Sequence, residues 1–335
     1  MQGGSPPATH LCSHPVAEGM FDRVAVPTPF QVGPVNAYLA GRTVVDPGPE
    51  SEEAWKTVKE AFDERGLAPE GVARVLVTHP HPDHFGLASR LREFGATVVA
   101  SRDAVPILED FPGRLDYERR FFKEFFVRCG MAESAAATVT DLPQAFVHYA
   151  PSVDVDRAVG AGDTVTVDGR ELAVDDLVGH ATGEVLFACD ADGERRALVG
   201  DNVLADITPN PFLQPPPESG GDRPRTLPEY NDSLAALADA CFDRLLPGHR
   251  GPVKRPAARI DEILVKHDER TERVADMLDE PTAPVEVMRA LFGDLPAIEQ
   301  YMGMSEAVGH LDVLEAAGRV TARERDGDLT YERTE

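Results

Sequence analysis

Residues 78–86 read THPHPDHFG, and His79, His81, Asp83 and His84 fall within six positions of this stretch. Imidazole nitrogens and carboxylates are ligands of zinc, and also of iron and manganese; spacing alone does not choose among the three. Pro80 and Pro82 disfavour helix for the residue before each, which pushes His79 and His81 toward extended backbone. In an extended chain residues two apart point to the same side, so these two rings can converge on one ion. Asp83 then starts a helix and its neighbour His84 points elsewhere, so one turn can serve two adjacent metals. The plain alternative is a group of solvated histidines at a helix N-terminus. The chain has 10 histidines, and three of them within six residues argue against it.

Four side chains are too few to enclose two ions. Further ligands are expected at later strand ends, and three are present: His180 in LVGHATGE, Asp201 in LVGDNVL and His249 in LLPGHRGP. Each follows an apolar run and a glycine. A lone His or Asp at a strand end is more often structural, but in this order after HxHxDH the three reinforce one another.

The series HxHxDH, a His after a strand, GD and then PGH resembles the metallo-β-lactamase fold hydrolase superfamily over roughly residues 22–255, and Asp46 in VVDPG matches its first motif. The resemblance implies an α+β fold, a four-layer αββα sandwich, and two divalent metal ions, zinc first with iron or manganese open. It places His79, His81 and His180 on the first metal and Asp83, His84 and His249 on the second, with Asp201 bridging. Asp46 would stand behind a ligand and orient it. Two metals about 3.5–4 Å apart hold a bridging hydroxide and lower the pKa of its parent water toward ~7. That hydroxide attacks an acyl or phosphoryl centre, with Asp83 as the catalytic side chain that orients it. One position departs from the pattern. Relatives commonly read His-(Ser/Thr)-Pro-Gly-His where this chain reads HATGE, which puts Glu184 in the last place. A carboxylate there is expected to raise local negative charge and strengthen metal binding from behind the ligands.

These residues must be held by strands and turns. Short β-like runs alternate with helical stretches from about residue 20 to 255, as FDRVAV, VNAYLAGRTVVDPG, VARVLVTH, ATVVA, DTVTVDGRELAVDDLVGH, EVLFACD and RALVGD. Ser51 is a plausible N-cap for a helix ending at Gly66. Helical spacing continues from Asp83 through Phe85, Leu87, Leu91 and Phe94. Residues 105–150 read as a helical insertion whose Phe121, Phe122, Phe125 and Phe126 are expected to line the pocket, a dimer contact or a core. Residues 208–226 form a long Pro/Gly-rich loop, and such loops are often functional. Residues 256–281 read as a linker helix. Helix, helix and a hairpin turning at Asp326-Gly327 then give residues 282–335 the pattern of a small winged-helix domain.

A metallo-β-lactamase domain followed by such a tail resembles the β-lactamase-like branch that includes a mitochondrial endoribonuclease and hydroxyacylglutathione hydrolase-like members. The bridging Asp201 points, by resemblance, to the glyoxalase II-like and nuclease branches rather than to the zinc β-lactamases. The expected function is hydrolysis of a small ester, thioester or lactone; the alternative is a metal-dependent endoribonuclease. A tail that binds DNA is a third reading. The expected recognition helix, residues 305–317, has no Lys or Arg and carries Glu306, Asp312 and Glu315, whereas phosphate contacts supply most non-specific affinity for nucleic acid.

The bulk composition points the same way. Thirty-three basic against 58 acidic residues leave a net charge of −25, which repels polyanions unless a local basic groove exists. A salt-rich, halophilic cytosol that screens this charge accounts for it better than a cation-seeking partner. Cys12, Cys129, Cys189 and Cys241 form no CxxC, so a reducing cytoplasm is expected rather than a disulfide framework. No apolar run is long enough for a membrane span. Residues 1–19, rich in Gly, Pro and Ser, read as a disordered tail, with Met20 as the expected natural start. The partner is a small-molecule substrate, with a homodimer open.

Overall fold

The computed structural model describes residues 16–18, 20–217 and 220–334. Seven strands form the first sheet in chain order: β1 (Val16–Glu18), β2 (Phe21–Val26), β3 (Val35–Ala40), β4 (Thr43–Val45), β5 (Arg74–Leu76), β6 (Thr97–Ser101) and β7 (Arg157–Val159). The first four pair antiparallel and the last four parallel. Parallel strands need crossovers, and helices supply them. These are α1 (Glu52–Asp63), α2 (Pro82–Phe85), α3 (Ala88–Glu93), α4 (Val105–Glu109), α5 (Phe111–Arg128) and α6 (Glu133–Asp141). Ser51 caps α1 as expected, its hydroxyl accepting from Ala54 N at 3.1 Å, a contact worth about 1 kcal/mol.

The second sheet contains β8 (Thr164–Val167), β9 (Arg170–Leu177), β10 (Glu184–Ala191), β11 (Glu194–Leu198) and β12 (Arg244–Leu246), in the order β12-β11-β10-β9-β8. Helix α7 (Thr226–Asp239) crosses between β11 and its parallel neighbour β12. Then follow α8 (Pro256–Ala275), α9 (Pro284–Phe292), α10 (Ala297–Ala316) and the hairpin β13 (Val320–Arg325) and β14 (Asp328–Arg333).

Period-two alternation divides the strands between layers. In β3, Tyr38 and Ala40 enter the core between the sheets, where Val165, Leu172 and Phe187 of the second sheet meet them. Val35, Ala37 and Leu39 face the other way, onto Trp55, Phe62 and Leu91 of the outer helices. In β10, Phe187 and Cys189 face the first sheet while Leu186 and Ala188 face Leu234 of α7 and Ile260 of α8. Helix, sheet, sheet and helix therefore stack as four layers. Each fully buried Leu, Val or Phe contributes roughly 1.5–3 kcal/mol of burial.

Several local expectations change. The helix expected from Asp83 to Phe94 breaks into α2 and α3 at Gly86-Leu87. A Cβ on Gly86 would lie 2.0 Å from the Tyr149 carbonyl oxygen and 2.3 Å from Glu50 N, so this turn is pressed against two backbones. Within the tail expected to be disordered, Val16–Glu18 pair with β2; the other residues of 1–19 lie outside the described residues. Of the settings expected for Phe122, Phe125 and Phe126, the structure gives core packing. They are buried, with Phe121 packed against them, in a core shared with Val285, Met288, Met304 and Leu311. Helix α8, in the stretch expected to be a linker helix, contributes Ile260 and Ile263 to one core and Val274 and Ala275 to another.

The C-terminal order of helix, helix and hairpin is as the pattern predicts. Asp326 (φ 54°) and Gly327 (φ 93°) make its two-residue turn, the left-handed pair such a turn requires. Its apolar side chains share their core with the 105–150 insertion. Every residue of α10 from Gly303 to Asp312 is buried. That stretch presents no face to a nucleic-acid groove.

Candidate metal centre

The seven expected ligands arrive from both sheets. His79, His81, Asp83 and His84 lie between β5 and the end of α2. His180 lies between β9 and β10, Asp201 just past β11, and His249 just past β12. His81 is extended, at φ −86° and ψ 146°, as the proline after it requires. Tight turns bring the late residues in. A Cβ on Gly248 would lie 2.4 Å from Asp201 Oδ1 and 2.5 Å from His84 Cε1, so only glycine lets the His249 turn approach so closely. Tyr38 OH and Asn36 Nδ2, on β3, each donate to the Pro247 carbonyl at 2.8 Å and hold that turn.

In the first group, His79 Nε2 and His180 Nε2 each lie 3.1 Å from His81 Nδ1. Their outer nitrogens are committed elsewhere. His180 Nδ1 donates to the Asn210 carbonyl at 3.2 Å. His79 Nδ1 donates to Thr78 Oγ1 at 3.1 Å, and that hydroxyl donates in turn to Asp46 Oδ2 at 2.6 Å. The Nε2 atoms of both rings are therefore lone pairs aimed at a third nitrogen, an arrangement that calls for a cation. Burial, then the neighbouring rings, lowers the pKa of His79 well below the ordinary range and that of His81 to about 3; burial also lowers that of His180. Neutral imidazoles are the ligating form.

In the second group, His249 Nε2 lies 3.2 Å from Asp83 Oδ2, and His84 Nε2 lies 4.0 Å from Asp83 Oδ1. His249 Nδ1 donates to the Pro34 carbonyl at 2.8 Å, and His84 Nδ1 donates to Asp46 Oδ2 at 3.0 Å. Burial disfavours charge on both rings, but Asp201 and Asp83 outweigh it and raise both, with Asp46 adding to the effect at His84.

Asp201 faces both groups. Its Oδ2 is 3.4 Å from His249 Nε2 and 3.7 Å from His180 Nε2, and its Oδ1 is 3.6 Å from His84 Nε2. Burial would raise its pKa, yet His249, His84 and His180 hold it far below the ordinary range. His84 Nε2, His249 Nε2 and Asp201 Oδ1 are buried without a hydrogen-bond partner. An unpaired buried polar atom costs ~1–3 kcal/mol, and three converging ones fit a bound metal. Three overlapping sets can hold one: His79, His81 and His180; His79, His84 and Asp201; and Asp83, His84 and His249.

Asp46 stands behind the rings, as expected. It adopts a left-handed φ of 49°, and its Oδ1 accepts from Thr78 N at 2.8 Å. Glu184 also lies behind the rings. It is buried and accepts from Asn202 Nδ2 at 3.0 Å. Burial pushes its carboxyl up to about 8.

Sequence reasoning left out four contributors. Thr78 stood inside the opening stretch without a role. The Pro34 and Asn210 carbonyls carry no signal in residue type. Phe212 closes the roof, its ring centroid 5.5 Å from those of both His81 and His180. Among the seven converging side chains, His81 is the most exposed, so solvent approaches from its side. A cavity of about 320 Å³ borders the His180 turn, lined by Arg102, Asp176, Thr182, Gln214 and Glu229 among others. None of the seven lines it.

Fold and cluster together define a class, a metal-dependent hydrolase. Residues 31–249 match the model of the Metallo-beta-lactamase superfamily, and the chain belongs to that superfamily. It is 30% identical over 316 residues to the probable metallo-hydrolase YqjP of Bacillus subtilis (strain 168), covering 93% of this chain and 97% of the relative. A metallo-beta-lactamase family protein of Thermus thermophilus superposes with a TM-score of 0.78 at 25% identity, covering 94% of this chain and 99% of that one. A beta-lactamase domain protein of Burkholderia ambifaria gives 0.80 at 26%, covering 96% and 94%. These likenesses take in residues beyond 249, and so include C-terminal elements.

Proposed function

We propose that the protein is a dinuclear metal-dependent hydrolase acting on a small ester, thioester or lactone. The observation that carries this reading is Asp201, one carboxylate within 3.4–3.7 Å of a ring from each ligand group. His79, His81 and His180 would hold one ion and Asp83, His84 and His249 the other, with Asp201 between them. Bound divalent ions supply a water acidified toward ~7 and polarise the substrate carbonyl. Asp83, whose carboxylate oxygens lie beside His249 Nε2 and His84 Nε2, would accept a hydrogen bond from the attacking water and orient it. The Phe212 ring packs edge-on against those of His81 and His180. Zinc suits the donor set of five imidazoles and two carboxylates.

The burial of α10 and the net charge of −25 both favour a small substrate over the nuclease alternative. Metal analysis joined to a side-by-side assay tests the proposal, offering S-lactoyl thioesters, lactones and a quenched single-stranded RNA in high salt. Two metal ions per chain and turnover of an ester-class substrate, lost in Asp83→Ala and His81→Ala, are expected. RNA cleavage alone transfers the protein to the nuclease reading. Wild-type activity in both variants, with no metal bound, overturns the site.

A further inference from the structure

The hydrogen bond that sets the His180 tautomer leads away from the centre into the C-terminal unit. The Asn210 carbonyl receives His180 Nδ1 at 3.2 Å and also Phe212 N at 3.0 Å. The Asn210 side chain is tied to α10: its Nδ2 donates to the Met302 carbonyl at 3.2 Å and to Glu306 Oε1 at 3.4 Å. Two more contacts fasten the same loop to the same helix. Leu213 N donates to Ser305 Oγ at 3.2 Å, and Tyr301 OH donates to the Leu213 carbonyl at 3.4 Å.

Glu306 is an expensive side chain to place there. It is 8% exposed, and a buried carboxylate costs several kcal/mol unless it is paired. Its other oxygen takes Arg270 of α8, and His310 Nε2 lies 3.4 Å from it. Burial alone would raise its pKa, but His310, Arg270 and His267 outweigh burial and keep it ionised. Tying α10 to α8 requires only the oxygen that faces Arg270. The second oxygen points at the loop over the metal centre.

We propose that Glu306 of α10 is a positioning residue for the metal centre, acting through the Asn210 side-chain amide to hold the carbonyl that keeps His180 in its ligating tautomer. The C-terminal unit is on this account part of the site's support. The inference rests on the reading of His180 as a metal ligand. Partners of ligating histidines typically contribute 10–100-fold in metal affinity, which sets the size of the effect.

The test uses the full chain, zinc titrated against a chromogenic chelator, and the melting temperature of the metal-free protein. Asn210→Ala is expected to weaken one of two zinc ions by about 10–100-fold and leave the other unchanged. Glu306→Leu weakens the same ion, and the double variant weakens it no further, as residues acting through one path are non-additive. Glu306→Gln keeps an acceptor for Asn210 but loses its charge, so the metal-free protein melts lower while zinc affinity stays near wild type. Asn210→Ala with both affinities unchanged, or with both weakened together in step with melting temperature, overturns the proposal. Additive losses in the double variant do the same. If Glu306→Leu does not fold, Asn210→Ala and Glu306→Gln still decide. A wild-type protein that binds no zinc, or a His180→Ala variant that keeps both ions, instead overturns the reading of the site.

Discussion

Asp46 offers no oxygen to the centre itself, yet two of the seven converging side chains depend on it. It receives His84 Nδ1 directly and reaches His79 through the Thr78 hydroxyl. Asp46→Ala should therefore lower zinc affinity about 10–100-fold with little change in the far-ultraviolet circular dichroism. Wild-type zinc affinity in that variant would falsify the orienting role. At Gly248 a methyl group would collide with Asp201 Oδ1 and His84 Cε1. Gly248→Ala should fold and lose metal, and a variant that retains its full metal content shows that the turn has more slack than its contacts indicate. Protons also belong to this scale. The carboxylates around His84 and His249 raise both pKa values, so metal must displace protons from these rings. As pH falls the proton competes better, so zinc affinity should weaken from pH 8 to pH 6. Calorimetric titrations in buffers of different ionisation enthalpy should show proton release, and a pH-independent affinity contradicts the assignment.

Among the elements, the seam of α7, α8 and α10 buries the titratable groups His267, Glu306 and His310. His267 Nδ1 donates to Asn231 Oδ1 at 2.7 Å, and burial lowers its pKa to about 4. Burial likewise lowers His310, and Glu306 sits below its ordinary value because its hydrogen bond with His310 and the Arg270 guanidinium outweigh burial. The sign is the same for all three. The unfolded chain binds more protons than the folded one as pH drops, so stability is fully present above about 6.5 and declines toward 4. For His267 alone the loss is on the order of 2–3 kcal/mol. Urea melts at pH 7 and pH 5 should show the decline, and His267→Gln should flatten it; an unchanged slope removes His267 as a source. The insertion and the C-terminal unit share one core through Phe122, so Phe122→Ala should cost about 3–5 kcal/mol and loosen both together. Separate unfolding transitions for the two would contradict a shared core. Helices with strong caps, such as α1, were legible from residue types, as was the Asp326-Gly327 hairpin. The break between α2 and α3 was not, because Gly86 is required by the Tyr149 carbonyl, more than sixty residues downstream.

For the whole molecule the net charge of −25 dominates. Exposed carboxylates repel one another within a Debye length of about 10 Å at 0.1 M salt and much further when salt is removed. Melting temperature should rise with KCl and fall on dialysis into low salt, and a salt-independent value contradicts the screening account. Chelation should act separately. Ions that bind only the folded chain stabilise it by roughly 2.7 kcal/mol at a hundredfold excess over Kd, so metal removal should lower the melting temperature at any salt concentration. Among the described residues no helix is long and apolar enough to cross a membrane.

What the sequence alone supplied is the set of donor residues. HxHxDH with His180, Asp201 and His249 names the ligand types, because metal preference follows donor identity and the prolines set local backbone geometry within a few residues. Tertiary structure decided what those residues rest on. Asp46, Thr78, Pro34 and Asn210 become supports only when distant strands and loops bring a carboxylate, a hydroxyl or a carbonyl to the far side of each ring. The charge state of Glu184 depends on burial, which no local pattern reports. The insertion's phenylalanines and the C-terminal helices have ordinary apolar spacing, and that spacing says they are covered without saying by what. Their common core, and the tether from Glu306 to the loop over His180, exist because contacts between residues far apart in the chain form only once it has folded.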